Sequence, residues 1–509
     1  MIFVVILLSI ISIYPKNIVS NINCVNGDTL VEKSNWELFL KENYFSKLYI
    51  VFAGPYPQSP TSSFGHIFLV LEPVNKRPLL LWPTIDFSAN SDNMDSFEFF
   101  IQGIFGELNG RYRIEPFYEK YRQYTFIESR PLWLFPLRLS DDEKNNLLLN
   151  IFNQQEKDHP YTFSRKNCAS QIDALLRTAL GMEIVTNRVI YYPKTILSNW
   201  DDKIEAPMFI ESMNNLIAEF YEVSNIDLSS EHYELEKLTE AEKALLLKSL
   251  EWKYAHQNEH LNEERTEFIK KLRLIVAKAE PNQISNFSKY KRDFKLHPSM
   301  LIGSGLKYSK DKTVEYLINY RFGLHEFYEN TSVYPANDYL SLFKIEMGFR
   351  DNKIMLNKLF LFDQLSLQPI TSYSKYLSWR IGLGIERMTE YDNRPIVYGL
   401  FNGIGYTVPI LEDRLNLSLL MNVSPVFTQY NGFTILYGPE FIFQLNVSDN
   451  IKIMNKFETT LSTKEALKFV YSNETNIGFG IGDEFILLLQ YDYAEYENGY
   501  TLRLNYYLD

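Results

Sequence analysis

The sequence predicts three parts in order: an α+β domain, a helical connector and an antiparallel β-barrel of about 12 strands. Three observations carry this. Short apolar strands mix with capped helices from about 35 to 200, the chain is helical and highly charged from 205 to 295, and the hydrophobic period changes to two from 299 to 508.

Residues 1–20 (MIFVVILLSIISIYPKNIVS) begin with an apolar run that fits a signal-peptide core and is too short to cross a bilayer as a helix. Export is the expectation, although no basic residue precedes the run and Ile18 and Ser20 stand where two small residues suit cleavage. No other segment approaches the ~20 apolar residues of a membrane helix. The two cysteines, Cys24 and Cys168, exclude a disulfide framework and leave one bridge open. The residues before Cys24, Asn21 to Asn23, do not form a lipoprotein box.

In the first domain, Leu48 to Ala53, His66 to Leu71 and Leu79 to Trp82 are expected strands. Ser140 and Glu143 form a capping box for a helix through Asn153. Asn167 is placed as the N-cap of a helix whose apolar stripe is Ile172, Leu175, Leu176, Ala179 and Leu180, and Gly181 ends it. In the connector, Thr239 and Glu242 cap one helix, and a second runs through RTEFIKKLRLIVAKA until Pro281.

The last part alternates. Leu377, Trp379, Ile381, Leu383 and Ile385 interleave with Ser378, Arg380, Gly382, Gly384 and Glu386, so one face of a strand is apolar and the other polar. The pattern recurs in Val314 to Leu324, Phe343 to Arg350, Phe485 to Tyr493 and Leu502 to Leu508, between short polar turns. A soluble β-sandwich also alternates. Long strands, abundant Tyr and Phe on the apolar face, and charges on the other favour a membrane barrel with a polar lumen.

Acidic residues (63) outnumber basic ones (51), for a net charge of −12 without a basic stretch, which argues against nucleic acid as a partner. Two polar events stand out. Cys168 falls in the first turn of the Asn167-capped helix, where free amides and the dipole favour a thiolate. A nucleophilic cysteine also needs an imidazole, which His66 can supply from the start of a buried strand, after a tight turn allowed by Ser62, Ser63 and Gly65. The plainer alternative is a packed cysteine and a hydrogen-bonded strand-start histidine. No metal ligand set or cofactor motif is expected, apart from His256-Gln257-Asn258-Glu259-His260, an inverted zinc-peptidase pattern in a solvated charged stretch.

Residues 45 to 185 resemble the bacterial Lnb N-terminal periplasmic domain family. The matching stretches are SSFGHIFLVLEP, GELNGRYRIEPFYEKYRQY, IESRPLWLFPLRLS around Glu128 and Arg130, and YTFSRKNCASQI. The resemblance implies a circularly permuted papain-like fold, similar to the lecithin–retinol acyltransferase group. It also implies Cys168 as nucleophile and His66 as base, with a fatty acyl thioester formed from a phospholipid donor. The acceptor it suggests is a lipoprotein amine, or water. A third residue would orient the imidazole, and Asp86 or Asn90, on the strand that follows, is in place for it. Ser63, Phe64, Asn167 and Tyr161 are expected to line the substrate site, and the Cys168 amide to serve an oxyanion hole.

The location expected is the outer membrane, with the catalytic domain periplasmic. Two alternatives stay open: an NlpC-like peptidase or amidase acting on cell-wall peptide, and a non-enzymatic barrel carrying a periplasmic adaptor.

Overall fold

The computed structural model describes residues 30–56, 58–59, 62–90, 94, 98–99, 102–103, 106–155, 157–185, 190–217, 233–256, 263–276, 294, 297–329, 333–371, 376–388, 395–411, 414–429, 432–463, 470–494 and 498–508. The signal segment 1–20, Cys24 and positions 257–260 of the histidine motif lie outside the described residues.

The first domain is a seven-stranded antiparallel sheet with helices on both faces. Its strands are β1 (Phe45–Ala53), β2 (His66–Pro73), β3 (Pro83–Ala89), β4 (Leu108–Pro116), β5 (Leu132–Leu137), β6 (His159–Tyr161) and β7 (Met208–Ile210), in the order β6-β4-β3-β2-β1-β5-β7. The period-two alternation of β1 separates two cores: Leu48, Ile50 and Phe52 pack with one, Tyr49, Val51 and Ala53 with the other. Helices α1 (Leu30–Asn43), α2 (Asp141–Gln154), α3 (Cys168–Ala179) and α4 (Pro193–Asn199) precede or follow these strands, and α2, α3 and α4 build the first core. A helical stretch from Phe117 to Ile127 covers the other face through Phe117 and Tyr124.

The capping boxes at Ser140–Glu143 and Asn167–Ser170 are both formed, and Gly181 follows α3 at φ +65°. One expected strand is corrected: Leu79–Leu81 is a 3₁₀ turn, and the strand begins at Pro83. Edge strand β7 pairs with β5 and comes from the beginning of the segment expected to be connector.

In that segment, α5 (Glu240–His256) and α6 (Glu263–Val276) share a small core around Leu246, Trp252 and Leu272. Phe294, at its far end, packs edge-on against Phe52, Trp133 and Phe135 of the first sheet.

The third part is a closed antiparallel barrel of 12 strands, as the alternation predicted. They are β8 (Met300–Ser309), β9 (Val314–Arg321), β11 (Asp338–Arg350), β12 (Lys353–Ser366), β13 (Ser378–Arg387), β14 (Ile396–Leu411), β15 (Leu415–Thr428), β16 (Gly432–Ser448), β17 (Ile451–Ser462), β18 (Val470–Ile481), β19 (Phe485–Ala494) and β20 (Asn498–Leu508). A short β10 (Gly323–His325) extends the edge of β11. The cylinder closes where β20 pairs with β8 and β9 with β11.

Burial is inverted relative to a water-soluble sheet. On β15, Leu417, Leu419, Met421 and Val423 are exposed while Asn416, Ser418, Asn422 and Ser424 are buried; on β20, Tyr500, Leu502, Leu504 and Tyr506 are exposed while Thr501, Arg503 and Asn505 are buried. An apolar outside around a polar inside suits a barrel whose solvent is lipid, and not a sandwich.

The loop between β10 and β11 turns into the lumen. Phe327 packs among Leu365, Leu420, Ile442 and Met454, and Glu326 pairs with Lys344 at 2.7 Å. The remaining lumen holds a cavity of about 330 Å³ lined by charges of both signs, among them Lys358, Arg380, Glu440 and Glu458.

Candidate functional site

Four ionisable side chains from four elements meet at one end of the first sheet. His66 opens β2 after Gly65, whose φ of +82° makes the tight turn and whose Cβ position would lie 2.9 Å from Phe52. Asp86 comes from β3 and is fully buried. The His66 Nε2 lies 2.6 Å from Asp86 Oδ1, which leaves Nδ1 as the ring nitrogen available to the neighbouring Cys168 thiol. The other carboxylate oxygen, Asp86 Oδ2, accepts from Lys120 Nζ at 2.7 Å.

Cys168 is a free, buried thiol at the first position of α3. Its own amide and that of Ala169 precede the point where helix carbonyls become available, so both point out of the helix end. Asn167 holds this end in place. Its Oδ1 accepts from the Ser170 amide at 3.2 Å, and its Nδ2 donates to the carbonyls of Phe163 and Tyr191 at 2.9 and 2.8 Å. Each of these bonds goes to the protein's own backbone, so Asn167 sets the position of Cys168.

The electrostatics follow from burial and charge order. Burial pushes the His66 imidazole down, but the facing Cys168 and Asp86 outweigh it and raise it to about 9. For Asp86, burial favours the neutral acid, and Lys120 and His66 override it to hold the carboxyl well below its usual range. Tyr124 and Tyr161 are pushed far above the ordinary phenol value, first by burial and then by negative charge at Asp86 and Cys168, so they stay neutral. The Tyr124 ring lies 5.6 Å from the His66 ring, with the Arg130 guanidinium 4.6 Å from the centre of the Tyr124 ring. Tyr161 stacks on Phe87 at 5.8 Å.

The expected residues thus divide. Cys168, His66 and Asp86 come together, with His66 hydrogen-bonded to Asp86 and Cys168 next to the imidazole, and Tyr161 and Asn167 lie beside them. Ser63 and Phe64 face the barrel instead. The Ser63 hydroxyl donates to the carbonyls of Ser59 and Tyr56 and accepts from Gln364 of β12. Phe64 packs with Ile190 and Tyr192 of its own domain against Leu324, Leu340, Phe362 and Ile381. Ile381 belongs to the apolar row of β13, so this contact lies on the outer wall of the barrel. Asn90 is held through its backbone amide to the Asn109 carbonyl.

Lys120 and Tyr124 were not among the expected site residues. The available signal was a lysine on an apolar helical stripe: Phe117, Lys120 and Tyr124 are spaced at i, i+3 and i+7, and all three are buried.

A second buried ionic cluster lies where the first domain meets the barrel. Glu329 pairs with Arg321 at 2.6 Å, with His297 at 2.9 Å and with His325 at 3.2 Å. The ligand atoms of His297, His325 and Glu329 lie within 4.8 Å of one another. The Arg321 guanidinium already neutralises this carboxylate, and Lys452 donates to the Glu329 carbonyl, so the charge order suits a buried ion network better than a cation site. The network joins the two domains: Lys194 of α4 donates to the His297 carbonyl at 2.8 Å, and Tyr334, stacked on His325, belongs to the core of the first domain.

Fold and site together define an envelope protein with an α+β domain mounted on a membrane barrel. Residues 36–197 match the model of the Lnb N-terminal periplasmic domain, and residues 291–507 match a domain of unknown function, DUF7840. No curated protein matches the chain.

Among solved structures, the barrel is similar to the KdgM porin in complex with disordered oligogalacturonate (11% identity, 41% of this chain and 99% of that one, TM-score 0.26). It is also similar to the NanC porin (10%, 41% and 100%, 0.27) and to the Acinetobacter baumannii outer membrane protein Omp33 (9%, 42% and 99%, 0.25). The closed, lipid-facing barrel thus resembles outer-membrane porins in fold, and the part of the chain ahead of it matches a periplasmic-domain family.

Proposed function

We propose that the protein is a cysteine-dependent acyltransferase of the cell envelope that takes a fatty acyl chain from phospholipid. Cys168 Sγ attacks the ester carbonyl while its proton passes to His66 Nδ1. The carbonyl oxygen gains charge near the Cys168 and Ala169 amides. The ester C–O bond then breaks, the lysophospholipid oxygen takes the proton from His66, and the acyl chain remains as a thioester. An acceptor amine, as on a lipoprotein, or water attacks the thioester, gives its proton to His66 and frees the thiol.

The observation that carries this reading is the position of the loop before His66. Phe64 lies against the outward apolar row of the barrel wall at Phe362 and Ile381, at positions that face lipid elsewhere around the cylinder. A site whose histidine loop adjoins the lipid-facing wall suits a donor that stays in the leaflet.

The test is intact-mass analysis of the full chain with phospholipid vesicles, beside Cys168→Ala and His66→Ala. A fatty-acyl mass that hydroxylamine removes, present on the wild type and absent from both variants, is the expected result. A wild-type chain that gains no acyl mass while a thiol reagent labels Cys168 rapidly would overturn the lipid donor.

A further inference from the structure

The line Cys168, His66, Asp86 does not end at the carboxylate. Lys120 Nζ holds Asp86 Oδ2 at 2.7 Å, and its side chain is 7% exposed beside a fully buried Asp86. A surface lysine would contribute little to such a site, because water screens it. Here the low exposure keeps the interaction strong and places the cation opposite His66 across a single carboxylate.

The consequence is a matter of charge count. With Lys120 present, the thiolate–imidazolium state reads minus, plus, minus, plus from Cys168 to Lys120, and the buried line is neutral. Without Lys120, neutrality is reached when Asp86 and a protonated His66 pair and Cys168 keeps its proton. Forming the thiolate then leaves a net negative charge in a buried site, which is unfavourable.

The other groups that face the line are Glu115, Tyr124, Tyr161 and Arg130. Glu115, from β4, lies 3.5 Å from Lys120 and is 30% exposed, so solvent screens it. Tyr124 and Tyr161 are neutral, and Arg130 is engaged by Glu128 at 2.7 Å.

We propose that Lys120 is a positioning residue: by neutralising Asp86 from the side away from His66, it leaves the imidazole free to exchange its proton with Cys168. This rests on Cys168 and His66 forming the reactive pair of the proposed function. It assigns Lys120 no contact with substrate.

The experiment is the pH profile of Cys168 alkylation by iodoacetamide on the full chain in detergent, followed by peptide mass so that Cys24 is counted separately. Substrate and acceptor are not needed. Lys120→Met is expected to move the midpoint of the profile up by one pH unit or more, with labelling about tenfold slower below it. Lys120→Arg, which keeps the charge, is expected to stay near the wild type.

Removing both charges makes the thiolate–imidazolium state neutral again, so Asp86→Asn/Lys120→Met should label with a midpoint below that of Lys120→Met. The double variant also keeps the site neutral if the single one fails to fold. A Lys120→Met profile that coincides with the wild type overturns the proposal, as does a double variant whose midpoint is no lower than that of Lys120→Met. A wild-type profile equal to that of His66→Ala removes the cysteine–histidine pair itself. Loss of acyl transfer from vesicles with the alkylation shift intact overturns only the lipid donor.

Discussion

Gln364, on the outer face of the barrel, donates a hydrogen bond to the Ser63 hydroxyl of the loop that leads into His66. The two residues are 301 positions apart, yet the bond joins the membrane wall to the mouth of the candidate site. Gln364→Leu removes the donor and costs about 1 kcal/mol of local stability. The expected result is faster proteolysis at residues 62–65 with unchanged heat resistance of the barrel on gels.

Replacing Met421 by Arg separates a lipid-facing barrel from a sheet in water. Met421 is 51% exposed on β15, near the middle of the strand. In a bilayer the substitution is expected to cost about 2–4 kcal/mol, whereas a water-exposed site would tolerate it. Urea unfolding in lipid vesicles, against an inward control at Asn422→Ser, reads the difference.

His66 gives the first domain a pH-dependent stability. Its folded value of about 9 lies above the ordinary 6.5, so the contribution is fully present below about 6.5 and lost as pH rises through about 9. The difference in unfolding temperature between wild type and His66→Ala should therefore shrink across that window. A difference that grows from pH 6.5 to 9 would contradict the ion-paired imidazole.

Asn167→Asp is conservative in shape and damaging in chemistry. The cap on the Ser170 amide survives, but an acceptor oxygen now faces the carbonyls of Phe163 and Tyr191 in place of an N–H. The expected cost is about 1–3 kcal/mol, with slower alkylation of Cys168. Thermal unfolding should rank Asn167→Asp below Asn167→Ser.

At the domain junction, Glu329→Gln leaves Arg321 buried without its counter-charge. A loss of about 3–5 kcal/mol is expected, and Arg321→Met/Glu329→Leu should recover most of it. Differential scanning calorimetry of the full chain in detergent checks both.

Much of the architecture was legible because it is written in local patterns. Period two marked the barrel strands, and two capping boxes and an Asn N-cap marked helix starts that the structure shows at Ser140, Thr239 and Asn167. The LLLW run misled because a short apolar run has no period to distinguish strand from turn, and Pro78 and Pro83 flank it. Asp86 could be proposed because it sits on the strand after His66, whereas Lys120 had only its place on the Phe117–Tyr124 stripe to mark it. The Ser63–Gln364 contact and the Glu329 network had no local signal at all. They depend on how the domain leans on the barrel, which sequence periodicity does not record.

The apolar core of the first domain includes Val333 and Tyr334, which the ribosome adds long after Cys168 and His66. They arrive from the loop that enters the barrel, together with Phe294 just ahead of the first barrel strand. A nascent or truncated chain that stops short of them therefore carries the candidate site residues in an unfinished scaffold. Completion of that scaffold waits for residues that lie between the second and third strands of the barrel, so the domain that carries Cys168 is finished only together with part of the cylinder it rests on.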